Sequence, residues 1–169
     1  MNLQKDDMIQ CGIVGWKDSG KTFLVQRLIE YFSKENLIVA SIKHAHHDFD
    51  IDEPGTDSYL HRQAGSQQVI VSSSKRWAKI VELRDKSEKK LDELLQELDY
   101  PDIVIIEGFK DAPHPKIEII KNNFDNYLFP KIKNVLGLVS DKKIVTNLPQ
   151  FKREEIDKIA EFILTKVKQ

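Results

Sequence analysis

One eight-residue stretch of this sequence has the residue types and the spacing of a phosphate-binding loop. Residues 15–22 read GWKDSGKT and fit the pattern G-x-x-x-x-G-K-[ST]. Glycines let the backbone turn so that successive N–H groups point at an anion. Lys21 can place its ammonium against the β- and γ-phosphates of a nucleotide, and Thr22 can offer its hydroxyl to Mg²⁺. The predicted loop residues are Gly15, Trp16, Lys17, Asp18, Ser19, Gly20, Lys21 and Thr22.

A nucleotide loop of this kind usually works with an acidic residue at the end of a neighbouring strand. The most continuous apolar run, DIVIIEG at 102–108, carries Glu107 at its end. An ionised group there needs a partner. We therefore predict that Glu107 contacts Mg²⁺, directly or through its water shell, or orients the attacking water. This class more often has aspartate at the position, so the sequence leaves direct and water-mediated contact open.

A segment rich in histidine and aspartate, KHAHHDFDIDEPGTD at 43–57, follows the second predicted strand. Its imidazoles, His44, His46 and His47, and its carboxylates could bind a transition metal, although the spacing fits no standard zinc pattern. The segment could equally reach Mg²⁺ or a partner when a γ-phosphate is bound, or be a solvated loop. Asp48 is the strongest candidate for a catalytic or metal-facing carboxylate. The sequence does not decide the role of the three histidines.

Two later regions could contact the base or a substrate. A carboxylate at the end of a late strand can accept two N–H groups from guanine, an arrangement that adenine cannot match. Asp141 follows the predicted strand 134–140 and favours guanine, but the sequence has no N-K-x-D or T-K-x-D box, so GTP and ATP stay open.

Lys110 and Lys116 lie beyond the strand of Glu107, where ligands of open α/β sheets bind. They could meet an anionic substrate or be solvated.

Alternating strands and helices must position these residues. Apolar spacing predicts helices over 21–35, 57–65, 87–98 and 153–167, and strands over 8–15, 37–44, 67–73, 77–83, 102–108, 116–121 and 134–140. The alternation predicts an α/β, P-loop NTPase-like three-layer fold with a mostly parallel sheet flanked by helices. Only SKR separates 67–73 from 77–83, which predicts an additional β-hairpin and a mixed sheet. No composition break divides the chain, so we expect a single domain over 1–169.

The bulk composition excludes several classes of function. The chain has 169 residues, 40% of them hydrophobic, and a net charge of −1, which argues against nucleic acid as a partner. Its one cysteine, Cys11, permits no intrachain disulfide and lies in an apolar setting typical of a buried strand. No apolar run approaches the ~18 residues of a membrane span. The N-terminus has no signal-peptide pattern, so we expect a cytoplasmic protein.

Four stretches together resemble one family, the MobB proteins of molybdopterin-guanine dinucleotide biosynthesis. They are GWKDSGKTFL, KHAHHDFDIDEPGTDSYLHRQAG, VIIEGFK followed by HPKIEI, and LVSD. The similarity runs from about residue 9 to about residue 141. Many families share the phosphate loop, whereas the histidine-aspartate stretch running into DSYLHRQAG, combined with EGFK, is far more specific.

The resemblance implies a small dimeric protein that binds GTP with Mg²⁺ and hydrolyses it weakly. It also implies an adapter role beside the nucleotidyltransferase MobA, which joins GMP to molybdopterin, and leaves direct molybdopterin binding open. By the same resemblance, Gly15, Gly20, Lys21 and Thr22 form the nucleotide loop. Glu107 is then the acidic strand-end residue, and Asp141 is a base contact. Trp16 stands where ParA-like proteins have a lysine, so their trans-lysine mechanism is not expected.

Three other functions fit the same scaffold. HAHHD at 44–48 suggests a metallochaperone GTPase that delivers nickel or a similar ion. The phosphate loop would also serve a small-molecule kinase or an ATP-dependent ligase. Finally, the loop could hold a nucleotide only to shape a binding module.

Overall fold

The computed structural model describes residues 8–45, 49–85, 87–122 and 125–167. Asp48, His46 and His47 lie outside these residues, so the predictions made for them are not tested. Contacts divide the chain into two compact units, one of Met1–His44 with Leu91–Gln169 and the other of Ala45–Lys90. The expectation that both belong to one domain stays a prediction.

The strands and helices follow the predicted order with shorter bounds. In chain order they are β1 (Ile9–Val14), α1 (Lys21–Lys34), β2 (Val39–Lys43), α2 (Asp57–Gln63), β3 (Gln68–Ser72), β4 (Trp77–Val81), α3 (Leu91–Leu95), β5 (Ile103–Glu107), β6 (Lys116–Ile119), β7 (Val135–Val139), β8 (Gln150–Phe151) and α4 (Ile156–Lys166).

Six of these strands form a parallel sheet in the order β2-β5-β1-β6-β7-β8. The register places Glu107 beside Ile13 of β1 and beside Lys43 of β2, and it places Val14 beside Glu118 of β6. The carboxyl ends of the four strands β2, β5, β1 and β6 therefore meet at one edge, where ligands of open α/β sheets bind. The predicted fold class is confirmed.

Helices cover both faces of this sheet, which gives three layers. On one face, α1 and α4 bury an apolar stripe of Leu24, Leu28, Phe32, Ile159 and Ile163. On the other face, α3 packs Leu91 and Leu95 against Val104 and Ile106 of β5. Cys11 is fully buried in β1, and burial raises the pKa of its thiol to about 12, as expected of a structural cysteine.

The structure corrects three details. The hairpin β3–β4 is an antiparallel sheet of its own in the second unit, so the predicted mixed sheet is wrong. Helix α3 is five residues long, so it includes neither 87–90 nor 96–98 of the predicted range. The polar residues 87–90 bury no apolar side chain that would stabilise another turn. Strand β8 was not predicted, since two residues are too few for a periodic signal.

The second unit is organised around the guanidinium of Arg62 in α2. It donates hydrogen bonds to Asp50 at 2.5 Å, Asp52 at 2.9 Å and Glu82 at 2.7 Å, which tie two segments of this unit to the helix. These carboxylates raise the pKa of Arg62, and the hydrogen bond to Glu82 is the largest cause. Among the described residues of the whole chain, no helix is long and apolar enough to cross a membrane.

Candidate functional site

The loop between β1 and α1 has a shape that only glycine permits at two positions. A Cβ at Gly15 would lie 2.5 Å from the carbonyl oxygen of Ile119 and 2.6 Å from Ser19 Oγ. Gly20 has a φ of +98°, a left-handed conformation that disfavours other residues, and it directly precedes the 14-residue helix α1. The first N–H groups of a helix are free to bind an anion, and the helix dipole favours one there.

Lys21 holds its ammonium across this loop. Its Nζ donates hydrogen bonds to the carbonyls of Gly15 and Trp16, both at 2.9 Å. Burial lowers the pKa of Lys21, and the negative charges of Glu107 and Asp18 partly offset that effect. The loop's own backbone therefore fixes the ammonium beside Gly15 and Trp16.

Thr22 and Glu107 lie together at the carboxyl edge of the sheet. Thr22 Oγ1 donates a hydrogen bond to Glu107 Oε1 at 3.2 Å. The hydroxyl and the carboxylate are the hard oxygen donors that Mg²⁺ prefers, and Mg²⁺ usually takes few protein ligands besides phosphate and water. The residues present thus suit a magnesium–nucleotide site.

Lys43 also belongs to this group, although sequence reasoning passed over it. Lys43 is the last residue of β2, and its Nζ lies 3.8 Å from Oε1 of Glu107, the last residue of β5. The 64% exposure of its side chain weakens the ion pair but leaves the ammonium accessible to a ligand. Its position in the sequence could have indicated this role, because Lys43 lies where the predicted strand 37–44 meets the segment 43–57.

Asp141 follows β7, and its side chain is 43% exposed. Its Oδ2 accepts hydrogen bonds from Arg153 Nε at 2.8 Å and from Asn122 Nδ2 at 3.2 Å. Arg153 also donates to the carbonyl of Ser19 at 2.6 Å, so it connects Asp141 with the phosphate loop. Sequence reasoning missed Arg153 because it follows β8, the strand that was not predicted.

The remaining loop residues differ in their surroundings. Trp16 donates its indole N–H to the carbonyl of Asn126 at 2.5 Å, and the carbonyl of Lys17 accepts a hydrogen bond from Lys121. The side chains of Lys17 and Asp18 are exposed. Ser19 is buried, and its hydroxyl has no hydrogen-bond partner among the described residues.

Lys116 neither faces an anionic substrate nor is solvated, so both alternatives that the sequence predicted for it are wrong. It is fully buried, and its Nζ donates hydrogen bonds to the carbonyls of Ala112, His114 and Lys133. Burial lowers the pKa of Lys116, while the charge of Asp111 opposes that shift. The ammonium therefore ties together the segments on either side of β6. Lys110, in contrast, is exposed.

His44 is placed by Phe109 and the backbone. The rings of His44 and Phe109 stack with centroids 4.5 Å apart, and the backbone N–H of His44 donates to the carbonyl of Glu107 at 2.9 Å. Within the described ranges, no group of three or more histidine, cysteine, aspartate or glutamate side chains could hold a metal ion. The metal-binding alternative for His46, His47 and Asp48 stays untested.

The parallel sheet, the glycine-bounded loop and the strand-end carboxylate place this chain in the P-loop class of α/β folds. The profile of one family, described as "Molybdopterin guanine dinucleotide synthesis protein B", matches residues 10–141. The chain therefore belongs to the MobB family.

Individual relatives agree with this assignment. A molybdopterin-guanine dinucleotide biosynthesis adapter protein of Escherichia coli K12 is 31% identical over 153 residues, covering 88% of this chain and 87% of that protein. A protein of the same name from Haemophilus influenzae is 34% identical over 154 residues, with 90% and 85% covered. A crystal structure of molybdopterin-guanine biosynthesis protein B superposes with a TM-score of 0.74 at 28% identity, covering 92% of this chain and 98% of that one.

Proposed function

We propose that this protein is a GTP-binding adapter in the synthesis of molybdopterin guanine dinucleotide, the guanine dinucleotide form of the molybdenum cofactor. It works beside a MobA-like nucleotidyltransferase that attaches GMP to molybdopterin, and it is at most a weak GTPase. The family assignment and the adapter name of its relatives support this role. The expected place of action is the cytoplasm.

The observation that carries the proposal is the contact between Thr22 and Glu107 beside the glycine-bounded loop. In the proposed complex, the loop amides and the N-terminus of α1 bind the phosphates. Lys21 exchanges its two carbonyl acceptors for phosphate oxygens, and Thr22 and Glu107 hold Mg²⁺ or its water shell. The bound Mg²⁺ supplies charge neutralisation between the phosphates.

Slow hydrolysis fits the position of Arg153. Fast phosphoryl transfer to water needs a cation, often an arginine, on the γ-phosphate. Arg153 already donates hydrogen bonds to the carbonyls of Ser19 and Ile120 and to the carboxylate of Asp141. Arg153 would have to break these hydrogen bonds to reach a γ-phosphate, so we infer that it is not the cation that fast hydrolysis needs.

Asp141 is the proposed base contact. It follows β7, two strands from β1 across the sheet, and its carboxylate is partly exposed. A carboxylate accepts the two adjacent N–H groups of guanine and finds no equivalent pair on adenine. We therefore propose GTP rather than ATP as the ligand.

We further propose that the protein is a homodimer. Ile70 and Trp77 lie on one face of the hairpin β3–β4 and are 67% and 69% exposed. Large apolar side chains grouped on one surface are typical of an interface.

The test combines binding with reconstitution. GTP, ATP and molybdopterin are titrated into the purified protein with and without Mg²⁺, and the protein is then added to a GMP-attachment assay with purified nucleotidyltransferase. We expect Mg²⁺-dependent binding with GTP preferred, and more dinucleotide formed when the protein and GTP are both present.

Other outcomes would redirect the proposal. No nucleotide binding, or no effect on dinucleotide formation, contradicts the adapter role. Phosphoryl transfer from ATP to molybdopterin, faster than hydrolysis, indicates a kinase. Stoichiometric, sub-micromolar nickel binding that is lost in His46→Ala/His47→Ala indicates a metallochaperone.

A further inference from the structure

The guanidinium of Arg153 joins three separate segments of the first unit. Nη1 donates to the carbonyl of Ser19 at 2.6 Å, Nη2 donates to the carbonyl of Ile120, and Nε donates to Asp141 Oδ2 at 2.8 Å. An arginine presents its donors in a rigid planar fork. The phosphate loop, the end of β6 and the end of β7 are therefore held at fixed distances from one another by one side chain that is 26% exposed.

This contact orients a peptide group of the phosphate loop. The carbonyl of Ser19 and the N–H of Gly20 belong to the same trans peptide unit, so they point to opposite sides of the chain. Because Arg153 holds the Ser19 carbonyl, the Gly20 N–H is directed away from the guanidinium. A Cβ at Gly20 would lie 2.7 Å from Nη1, so the glycine is also needed to let Arg153 approach.

The same guanidinium occupies one acceptor site of the Asp141 carboxylate. A carboxylate oxygen has about two acceptor sites, and Oδ2 already accepts from Arg153 Nε and from Asn122 Nδ2. Among the described residues, Oδ1 receives no hydrogen bond, so both of its acceptor sites are available to the two N–H groups of guanine. A base that binds Asp141 therefore binds a carboxylate whose orientation Arg153 fixes.

We propose that Arg153 is a positioning residue that couples the base contact at Asp141 to the shape of the phosphate loop. Asp141 anchors the guanidinium, the guanidinium holds the Ser19 carbonyl, and the Gly20 N–H is thereby kept in its binding orientation. Base and polyphosphate then reinforce each other's binding. This inference rests on the proposed nucleotide site and adds a residue that lies outside the matched family segment 10–141.

The decisive ligand is Mg²⁺-tripolyphosphate, which has phosphates and no base. Its affinity is measured by calorimetry for the wild type, Asp141→Asn, Arg153→Gln and the double variant. We expect Asp141→Asn to weaken tripolyphosphate binding about threefold to tenfold, since a charge-assisted hydrogen bond to Arg153 is lost. No phosphate contact is proposed for Asp141, and the loss of its negative charge alone would strengthen the binding of an anion, so weaker binding indicates positioning. Arg153→Gln should weaken it at least as much, and Asp141→Asn should then add nothing, because the connecting residue is gone.

Two further variants separate positioning from charge and from folding. Arg153→Lys keeps the positive charge without the fork, so we expect it to lose the coupling as Arg153→Gln does. If Arg153→Gln does not fold, Arg153→Lys takes its place in the double-mutant comparison with Asp141→Asn. Arg27→Gln removes an exposed arginine of α1 that pairs with Glu30, and we expect wild-type affinity.

The inference and the proposed function fail in different ways. Tripolyphosphate affinity that is unchanged in Asp141→Asn, additive losses in the double variant, or full rescue by Arg153→Lys each overturn the coupling while nucleotide binding stands. A wild type that binds neither tripolyphosphate nor GTP contradicts the proposed function itself, and the inference with it.

Discussion

At the residue scale, His114 is a buried imidazole that the fold keeps neutral. It is 5% exposed, and neither ring nitrogen has a hydrogen-bond partner among the described residues. The ring lies against β1, since a Cβ at Gly12 would be 2.3 Å from its Nε2. Burial, together with the nearby charge of Lys116, lowers the pKa of His114 from 6.5 to about 4.

This shift predicts a loss of stability in mild acid. Below its unfolded pKa of 6.5, the histidine takes up a proton in the unfolded chain but not in the folded protein, so the unfolded state binds more protons. The free energy of unfolding should fall between pH 6.5 and pH 4, with His114 contributing on the order of 2 kcal/mol. Urea unfolding of the wild type and His114→Gln at pH 7 and pH 4.5 measures it.

The matched control for this prediction is His61→Gln, which removes an exposed histidine. We expect His114→Gln to lose less stability on acidification than the wild type, and His61→Gln to follow the wild type. Equal pH dependence in all three proteins would show that His114 does not titrate in this way.

The sequence predicts residues whose role depends on local spacing and misses those whose role depends on tertiary contacts. Lys21 and Thr22 stand at fixed offsets from two glycines, and Glu107 ends an apolar run. Arg153 and Lys116 instead find their acceptors in segments distant along the chain. Nothing in their immediate sequence distinguishes them from surface cations.

At the element scale, the connection between β6 and β7 is fixed by one buried carboxylate. Glu118 accepts the backbone N–H of Leu128 at 2.8 Å and of Phe129 at 2.7 Å. Burial raises the pKa of Glu118, and these two bonds partly oppose the shift. The carboxylate thus supplies two acceptors to a connection that would otherwise bury unpaired N–H groups.

Replacing this carboxylate by an amide should destabilise the protein. Glu118→Gln keeps one oxygen acceptor but turns an NH₂ group toward the second backbone N–H, so a buried donor loses its partner. We expect a loss of about 1–3 kcal/mol in the free energy of unfolding, measured by urea denaturation at pH 7. Glu154→Gln, at an exposed site, should change stability by less than about 0.5 kcal/mol. Comparable losses in both variants would argue against the anchoring role.

Long or strongly apolar elements were predicted close to their full bounds, whereas the extent of α3 and the existence of β8 were not. Helix α1 has a clear apolar stripe and β5 an unbroken apolar run, so packing and local pattern agree. Helix α3 and strand β8 have five and two residues, and their extent is set by what they pack against. The hairpin was predicted from its short turn, but its separation from the main sheet depends on strand pairing that spacing does not encode.

At the scale of the whole molecule, the proposed dimer predicts a particle of twice 19.6 kDa by light scattering. Ile70→Thr/Trp77→Thr removes the two exposed apolar side chains but keeps β-forming residues in the hairpin, and we expect it to shift the mass toward the monomer. Ile38→Thr, which removes a side chain that is 61% exposed in the first unit, should stay dimeric. A monomeric wild type at high concentration contradicts the proposal.

The loop from Gly15 to Thr22 is proposed to hold the phosphates of a nucleotide, and a calorimetric titration of Mg²⁺-GTP tests this role most directly. Lys21→Ala removes the ammonium fixed over the loop, and we predict at least about thirtyfold weaker binding, or roughly 2 kcal/mol. Lys34→Ala makes the same change at the exposed far end of α1 and should bind as the wild type does. Unchanged affinity in Lys21→Ala would contradict the account.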